Sequence, residues 1–289
     1  MLSMVAGAAA MHSDWKGQLC CPHTSFFKLD PIKAFRERQL TGDCVSVAMR
    51  NMRDAARSFD IEQRRKNFEY VERSASADLY SMRGHTGAGA SPSRIAMAAA
   101  KIGILLETKV VSPTGEVWDF TNYDKYYKIG VDYGKTGLPK WIFDLNRAQG
   151  PKQVVEVDDQ DANQMLTVIW NGFGFGCGSM MGVSSKGGKD GVSWLSGLED
   201  EWAHEMMAFG FDDRRKYHRD TLVFVDQTWG LWNKIGDVPE EYKPWPEGAM
   251  IVTLTDYMRG TRGGEKHAFS DSVGFRPRRQ ASLGAEGRI

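Results

Sequence analysis

Long apolar runs are missing from this sequence: no stretch approaches the roughly 18 uninterrupted apolar residues that a membrane-spanning helix needs, so no transmembrane segment is expected. An excess of either charge is missing too. Lys plus Arg and Asp plus Glu number 37 each, which argues against a globally basic nucleic-acid binder and against a polyacidic protein. Cysteine is scarce, with four in 289 residues (Cys20, Cys21, Cys44 and Cys177), and immediate neighbours such as Cys20 and Cys21 do not readily bridge each other. A disulfide framework is therefore excluded. A reducing intracellular compartment is favoured over secretion, and any special cysteine should be chemical rather than structural. The run Cys20-Cys21-Pro22-His23 has no second pair of ligands at a zinc-site spacing, so no metal or other cofactor is expected. Residues 1–11 are small and apolar but lack the basic start and the length of a secretory signal.

What is present is an ordinary core-forming composition, 42% hydrophobic and 26% charged. Val45, Ala48, Met49, Met52, Ala55, Ala56 and Phe59 recur at intervals of three and four, the stripe of an amphipathic helix. Thr41 or Asp43 is the natural N-cap, which puts Cys44 in the first turn. Residues 61–73 read as a second, strongly charged helix whose Arg64, Arg65 and Lys66 form a solvated face. After a glycine-rich turn at 84–90, Ser91 and Pro92 open a helix with Ile95, Ala96, Ala99 and Ile102 on one face, closed by Gly103. Beyond Pro151 the pattern turns to strands, at 153–157, 173–183, 205–211, 221–226 and 249–254, with one helix at 162–170 and a flexible loop at 184–191. A helical half followed by a strand-rich half predicts an α+β fold rather than alternating βαβ units.

The expected organisation is an irregular N-terminal extension (1–30), one folded domain (31–258) with a helical lobe over about 31–150 and a β-rich lobe over about 151–258, and a disordered tail (259–289). The tail carries seven basic side chains against three acidic ones, so the overall neutrality hides a mildly acidic body. Such a tail suits docking on an acidic partner, and its removal is expected to leave folding intact.

One constellation carries chemistry. A helix N-terminus offers unpaired N–H groups and partial positive charge, which favour the reactive thiolate, and Cys44 has that placement. Five residues upstream, Gln39 could donate its side-chain amide to an oxyanion beside the sulfur. His204 heads a mostly apolar strand and would supply the base. Gln227 ends the next apolar strand, beside Trp229 and Trp232, where an amide could hold the second imidazole nitrogen behind a shield of rings.

Taken together these segments resemble papain-like cysteine peptidases. QLTGDCVSVA (39–48) is similar to their oxyanion glutamine and nucleophile helix, HEMMAFGF (204–211) to their histidine strand, and QTWGLW (227–232) to their Asn-Ser-Trp-Gly segment, in the same chain order. The glycine-rich turn and helix over 87–104 resemble the loop that lines the family's cleft. The resemblance spans roughly residues 30–255. It implies a two-lobe fold, a helical lobe with the nucleophile helix packed on an antiparallel β-rich lobe. It also implies hydrolysis of a peptide or isopeptide bond in a peptide or protein substrate through a thioester. By position it makes Cys44 the nucleophile, His204 the base, Gln39 the oxyanion donor and Gln227 the orienter, with Gly87 and Gly89 lining the substrate cleft. Departures are visible. The Gln39-to-Cys44 spacing is one residue short, Val45 stands for tryptophan, Gln227 stands for asparagine, and Asp226 becomes the orienter if the register shifts by one. They suit a divergent, intracellular or virus-encoded member. Two rival readings share the fold: a catalytically silent structural or assembly protein, such as a component of a virus particle, and another acyl transfer, such as transglutamination or cleavage of peptidoglycan stem peptides.

Overall fold

The apolar stripe that begins at Val45 folds as one 20-residue helix, Cys44–Gln63, in the computed structural model, which describes residues 14–29, 38–63, 72–147, 150–151, 153–233, 235–246 and 248–270. In chain order the elements are β1 (Leu19–Cys20), α1 (His23–Leu29), α2 (Cys44–Gln63), α3 (Ala77–Ser81), α4 (Pro92–Ile102), β2 (Lys109–Val111), β3 (Val117–Asp119), α5 (Tyr123–Asp132), α6 (Lys140–Asn146), β4 (Gln153–Glu156), α7 (Ala162–Trp170), β5 (Phe175–Lys189), β6 (Val192–Asp212), β7 (Leu222–Asp226), β8 (Met250–Thr253), α8 (Leu254–Gly260) and β9 (Lys266–Ser270).

Helix α2 joins two layers. Val45, Met49, Met52 and Ala55 enter a core shared with Met207 and Phe209 of β6 and Phe224 of β7, while Val47 faces the helical layer built on Phe120, Tyr126 and Ile142. A third cluster fills the far side of the sheet, between α7 and residues such as Phe175, Val223 and Val225. Burying large apolar side chains at about 1.5–3 kcal/mol each drives this arrangement. Polar groups caught between the layers are paired: Arg50 donates to the Tyr126 hydroxyl (2.5 Å), and Asp54 accepts from the Ser74 N–H (2.9 Å) and hydroxyl (2.7 Å).

The sheet has strand order β4-β9-β5-β6-β7-β8, with β1 pairing on β6, and every pairing is antiparallel. β2 and β3 make a separate hairpin. Helix α4 starts as its sequence implies: the Ser91 side chain accepts the Arg94 N–H, and Pro92 occupies the first turn.

Three expectations are corrected. The flexible loop at 184–191 is instead the end of a long β5–β6 hairpin. Lys189 pairs with Val192, and Asp190 (φ 53°) with Gly191 (φ 77°) makes the two-residue turn that such a hairpin requires. The N-terminal extension is not irregular throughout, because Trp15 and Cys20 are buried in the sheet core and β1 pairs with β6. The tail does not begin at Arg259. β9 lies between β4 and β5 in the sheet, and Ala268 and Phe269 are buried. His267 is buried in that strand as well. The rest of the tail (271–289), residues 1–13 and the basic run 64–66 lie outside the described residues. Among the described residues no helix is long and apolar enough to cross a membrane, and no group of three His, Cys, Asp or Glu could hold a metal ion.

Candidate active site

Cys44 opens α2. The turn before it is fixed from the helical layer, where the Tyr123 hydroxyl takes the Leu40 N–H (2.9 Å) and donates to Asp43 (2.8 Å). Asp43 also accepts from the Ser76 hydroxyl at 3.3 Å, so its carboxylate is turned to the helical layer while its carbonyl accepts the Val47 N–H (3.0 Å) and starts the helix. Burial raises Asp43 to about 6, although Tyr123, Arg50 and Ser76 oppose the shift.

The Cys44 sulfur is half-buried and sits against the backbone N–H of Glu205, the residue that follows His204 on β6. Nucleophile and base candidates are thus neighbours across the α2–β6 contact. Burial dominates the thiol and pushes it up to about 11. The Glu205 and Val45 N–H groups pull the other way, and the Glu205 and Asp43 charges add to the rise. His204 is 5% exposed and lies across the indole of Trp229, with ring centroids 4.6 Å apart and planes 32° apart. Burial lowers it to about 4. Trp202 and Trp232 close over Trp229, at 4.6 and 5.4 Å between centroids, and screen the imidazole from water.

Gln227 is not on the imidazole. Its Nε2 donates to the carbonyls of Gly230 (2.9 Å) and Gly248 (2.8 Å), and its Oε1 accepts the Trp229 N–H. A side chain one methylene longer than asparagine reaches past the ring to the backbone and pins the turn that carries Trp229. Asp226 is not on the imidazole either: its Oδ2 accepts from Asn51 of α2 at 3.1 Å. Among the described residues His204 Nε2 is buried with no hydrogen-bond partner. Gln227→Ala should therefore act on stability, lowering it by about 1–3 kcal/mol through the unpaired Gly230, Gly248 and Trp229 groups. Urea unfolding would measure it, and an unchanged midpoint would contradict these bonds.

Gln39 is clasped to the same turn. Its N–H donates to the Thr228 carbonyl (2.7 Å), its Oε1 accepts the Thr228 hydroxyl, and its Nε2 donates to the Thr41 carbonyl (3.1 Å). Between the two segments, residues 38–42 and 229–232 line an open cleft of about 840 Å³, with Leu40 and Leu231 exposed on its rim. The glycine loop packs against Gly42 at the edge of this cleft. Gly89 donates its N–H to the Gly42 carbonyl (2.9 Å), and a Cβ on Gly42 would stand 2.7 Å from that of Ala88. Arg83 anchors the loop, donating to the carbonyl of Gly87 (2.9 Å) and to those of Tyr80, Gly130 and Val131. The structure thus places Gln39, Cys44 and His204 around one junction, with Gly87 and Gly89 beside it and Gln227 behind it.

Sequence reasoning missed Tyr123, Arg83, Thr228 and Glu205. Tyr123 and Arg83 act from elements distant in sequence, and nothing local marks them. The tetrad Cys20 to His23 is structural: the His23 ring packs edge-on against Phe209, Phe224 and Trp245 and bonds the Tyr242 carbonyl at 3.1 Å.

Solved structures resemble this chain in fold. Xylellain, a cysteine protease from Xylella fastidiosa, superposes with a TM-score of 0.54 at 13% identity over 93% of this chain and 89% of its own. The fold is papain-like. Digestive procathepsin L 3 of Tenebrio molitor larval midgut gives 0.52 at 9% identity over 84% and 68%, and the recombinant stem bromelain precursor gives 0.52 at 11% over 92% and 73%. No family model and no curated protein matches the sequence. The α+β, two-lobe reading of the sequence is therefore the observed fold, reached at identities where the fold persists and sequence similarity does not.

Proposed function

We propose that this protein is a cysteine peptidase in which Cys44 attacks and His204 moves the proton. The observation that carries the reading is the contact of the Cys44 sulfur, at the head of α2, with the backbone of the residue next to His204, under a roof of tryptophans. With the thiol held high and the imidazole held low by burial, the resting pair is neutral at neutral pH. When a peptide carbonyl reaches the sulfur, His204 takes the thiol proton as the sulfur–carbon bond forms. The resulting oxyanion is met by the Cys44 N–H and by Gln39 Nε2, which exchanges the Thr41 carbonyl for it. His204 then protonates the leaving amine and the C–N bond breaks, leaving a thioester. Water gives a proton to His204 and adds to the thioester, and the acid departs as the thiol is restored. Gly87 and Gly89 would form the cleft wall along which the peptide lies.

One observation favours the silent fold instead: the orphaned His204 Nε2, with Gln227 committed to the backbone. Incubation with a peptide library, followed by mass spectrometry of cleaved peptides and of the acyl adduct on Cys44, separates the two. Cleavage that disappears in Cys44→Ala supports the peptidase. An absence of cleavage and of any adduct establishes the silent fold, and incorporation of an added amine would instead show acyl transfer. The docking of the basic tail on an acidic partner depends largely on residues 271–289, and virus-particle association draws no support from the described residues.

A further inference from the structure

The turn that starts at Gln39 and runs into α2 carries both groups that would meet an oxyanion, the Gln39 amide at its head and the Cys44 N–H at its foot. One side chain from outside the turn ties these ends together. The Tyr123 hydroxyl accepts the N–H of Leu40, the residue after Gln39, at 2.9 Å, and donates to the carboxylate of Asp43, the residue before Cys44, at 2.8 Å. A single oxygen therefore spans the turn, and each arm is a hydrogen bond with a narrow range of lengths.

The phenol is itself held in place. Tyr123 opens α5, where the Asn122 side chain caps the helix by accepting the Asp124 N–H at 2.9 Å, and it is 1% exposed. Its ring packs edge-on against Tyr126 (5.5 Å, 87°) and under the Arg50 guanidinium (5.8 Å), which donates in turn to the Tyr126 hydroxyl. Burial, together with the Asp43 charge, holds the phenol well above its ordinary pKa, so it stays a proton donor to Asp43 through neutrality. The Ser76 hydroxyl meets the other Asp43 oxygen at 3.3 Å.

The bridge matters because the Gln39 amide has to move. At rest its Nε2 donates to the Thr41 carbonyl inside the same turn (3.1 Å), and an oxyanion has to draw it off that carbonyl. The turn then loses an internal bond at the moment when its two ends must stay in register. The Tyr123 bonds do not involve the amide and persist through the exchange.

We propose that Tyr123 is a positioning residue for the oxyanion site, its hydroxyl setting the separation of the Gln39 amide and the Cys44 N–H through Leu40 and Asp43. The inference rests on the peptidase reading and deepens it with a residue that acts without touching the reacting atoms. Such a residue serves the transition state rather than the bound substrate, so its loss falls on kcat.

Tyr123→Phe keeps the ring and removes the bridge. In peptide cleavage kcat should fall about tenfold or more with KM within about twofold, since misplaced donors stabilise the oxyanion poorly. An aldehyde isolates the effect. When the Cys44 sulfur adds to a peptide aldehyde, the S–C bond forms, the carbonyl π pair moves onto oxygen and the thiol proton ends there, so the adduct uses the oxyanion site. Alkylation by iodoacetamide, in which the sulfur displaces iodide from a methylene carbon, does not. The tightest member of a pool of acetyl-dipeptide aldehydes should bind Tyr123→Phe about tenfold more weakly than wild type, while iodoacetamide modifies Cys44 in both at rates within about threefold. Equal aldehyde affinity overturns the role, and so does a parallel loss of alkylation, which marks general disruption of the site. Wild-type protein whose Cys44 is alkylated but forms no aldehyde adduct removes the peptidase reading, and this role with it. Should Tyr123→Phe fail to fold, Asp43 decides. Asp43→Ala should weaken aldehyde binding about tenfold, and Asp43→Asn, which keeps an acceptor for the hydroxyl, should recover most of that loss; equal affinities in these two variants refute the bridge.

Discussion

Replacing Cys44 by alanine is expected to lower kcat/KM by about 10⁴-fold or more, and His204→Ala by about 10²–10⁴-fold, with the double variant little worse than Cys44→Ala alone because the two act as one unit. Burial sets the accompanying pH dependence. His204, lowered to about 4, is the free base at every higher pH and can accept the thiol proton; below that value it is already protonated and cannot. Cys44, raised to about 11, stays a thiol through neutrality and ionises only when substrate draws the proton onto His204. The profile of kcat/KM should therefore rise through about pH 4 and run level from there through pH 8. A preformed thiolate–imidazolium pair would give a thiolate absorbance already at neutral pH. An ultraviolet titration of Cys44 that shows such absorbance, or a Cys44→Ala protein that still turns over, would overturn this account.

The site is legible in the sequence to the extent that its residues are fixed by local chemistry. A cysteine behind an Asp in front of an apolar stripe has to open a helix, so Cys44 could be placed without coordinates, whereas His204, expected at the head of a strand, lies inside β6, which already begins at Val192. Gln227 marks the limit. Its position at the end of β7 is where the resemblance puts the orienter, but the extra methylene decides what the amide touches, and that depends on Gly230 and Gly248 being within reach. Asp43 is a similar case. A good capping residue is drawn away from the helix by Tyr123, 80 residues later in the chain. Glu205 is a third case: the glycines at 176 and 178 leave room on β5, and a carboxyl from the neighbouring strand fills it.

A composition averaged over a long window hides short strands. Residues 259–289 are rich in Gly, Arg and Ser, and within them the five residues of β9 disappear. Two of those five are polar types that are normally exposed, yet Lys266 is buried with its ammonium on backbone carbonyls and His267 is 6% exposed. The Asp190-Gly191 dipeptide was a hairpin signal in plain view, masked by the lysines and glycines around it. In each case tertiary pairing supplied what local propensity withheld.

Deleting residues 259–289 is accordingly expected to prevent native folding, the reverse of what the composition implied. β9 is an interior strand: it pairs with β4 on one side, from Gln153↔Ser270 to Glu156↔His267, and with β5 on the other, from Phe175↔Ala268 to Cys177↔Lys266. Without it β4 has no neighbour in the sheet, and β5 becomes an open edge. Phe269 leaves the α2 core and Ala268 the opposite one, so both faces lose packing. Burial of Phe269 contributes about 1.5–3 kcal/mol and each ladder hydrogen bond about 0.5–1.5 kcal/mol. The deletion also takes Gly260, whose carbonyl accepts the Ser179 hydroxyl at 2.7 Å, and Gly263, whose N–H bonds Asp159. Summed, these losses rival the roughly 5–15 kcal/mol that separates a folded domain from its unfolded chain. Near-ultraviolet circular dichroism and denaturant titration should show no cooperative transition in the chain ending at 258, while a chain ending after Ser270 keeps every one of these pairings and should unfold cooperatively. A native transition in the shorter chain would mean that β9 is dispensable to the sheet.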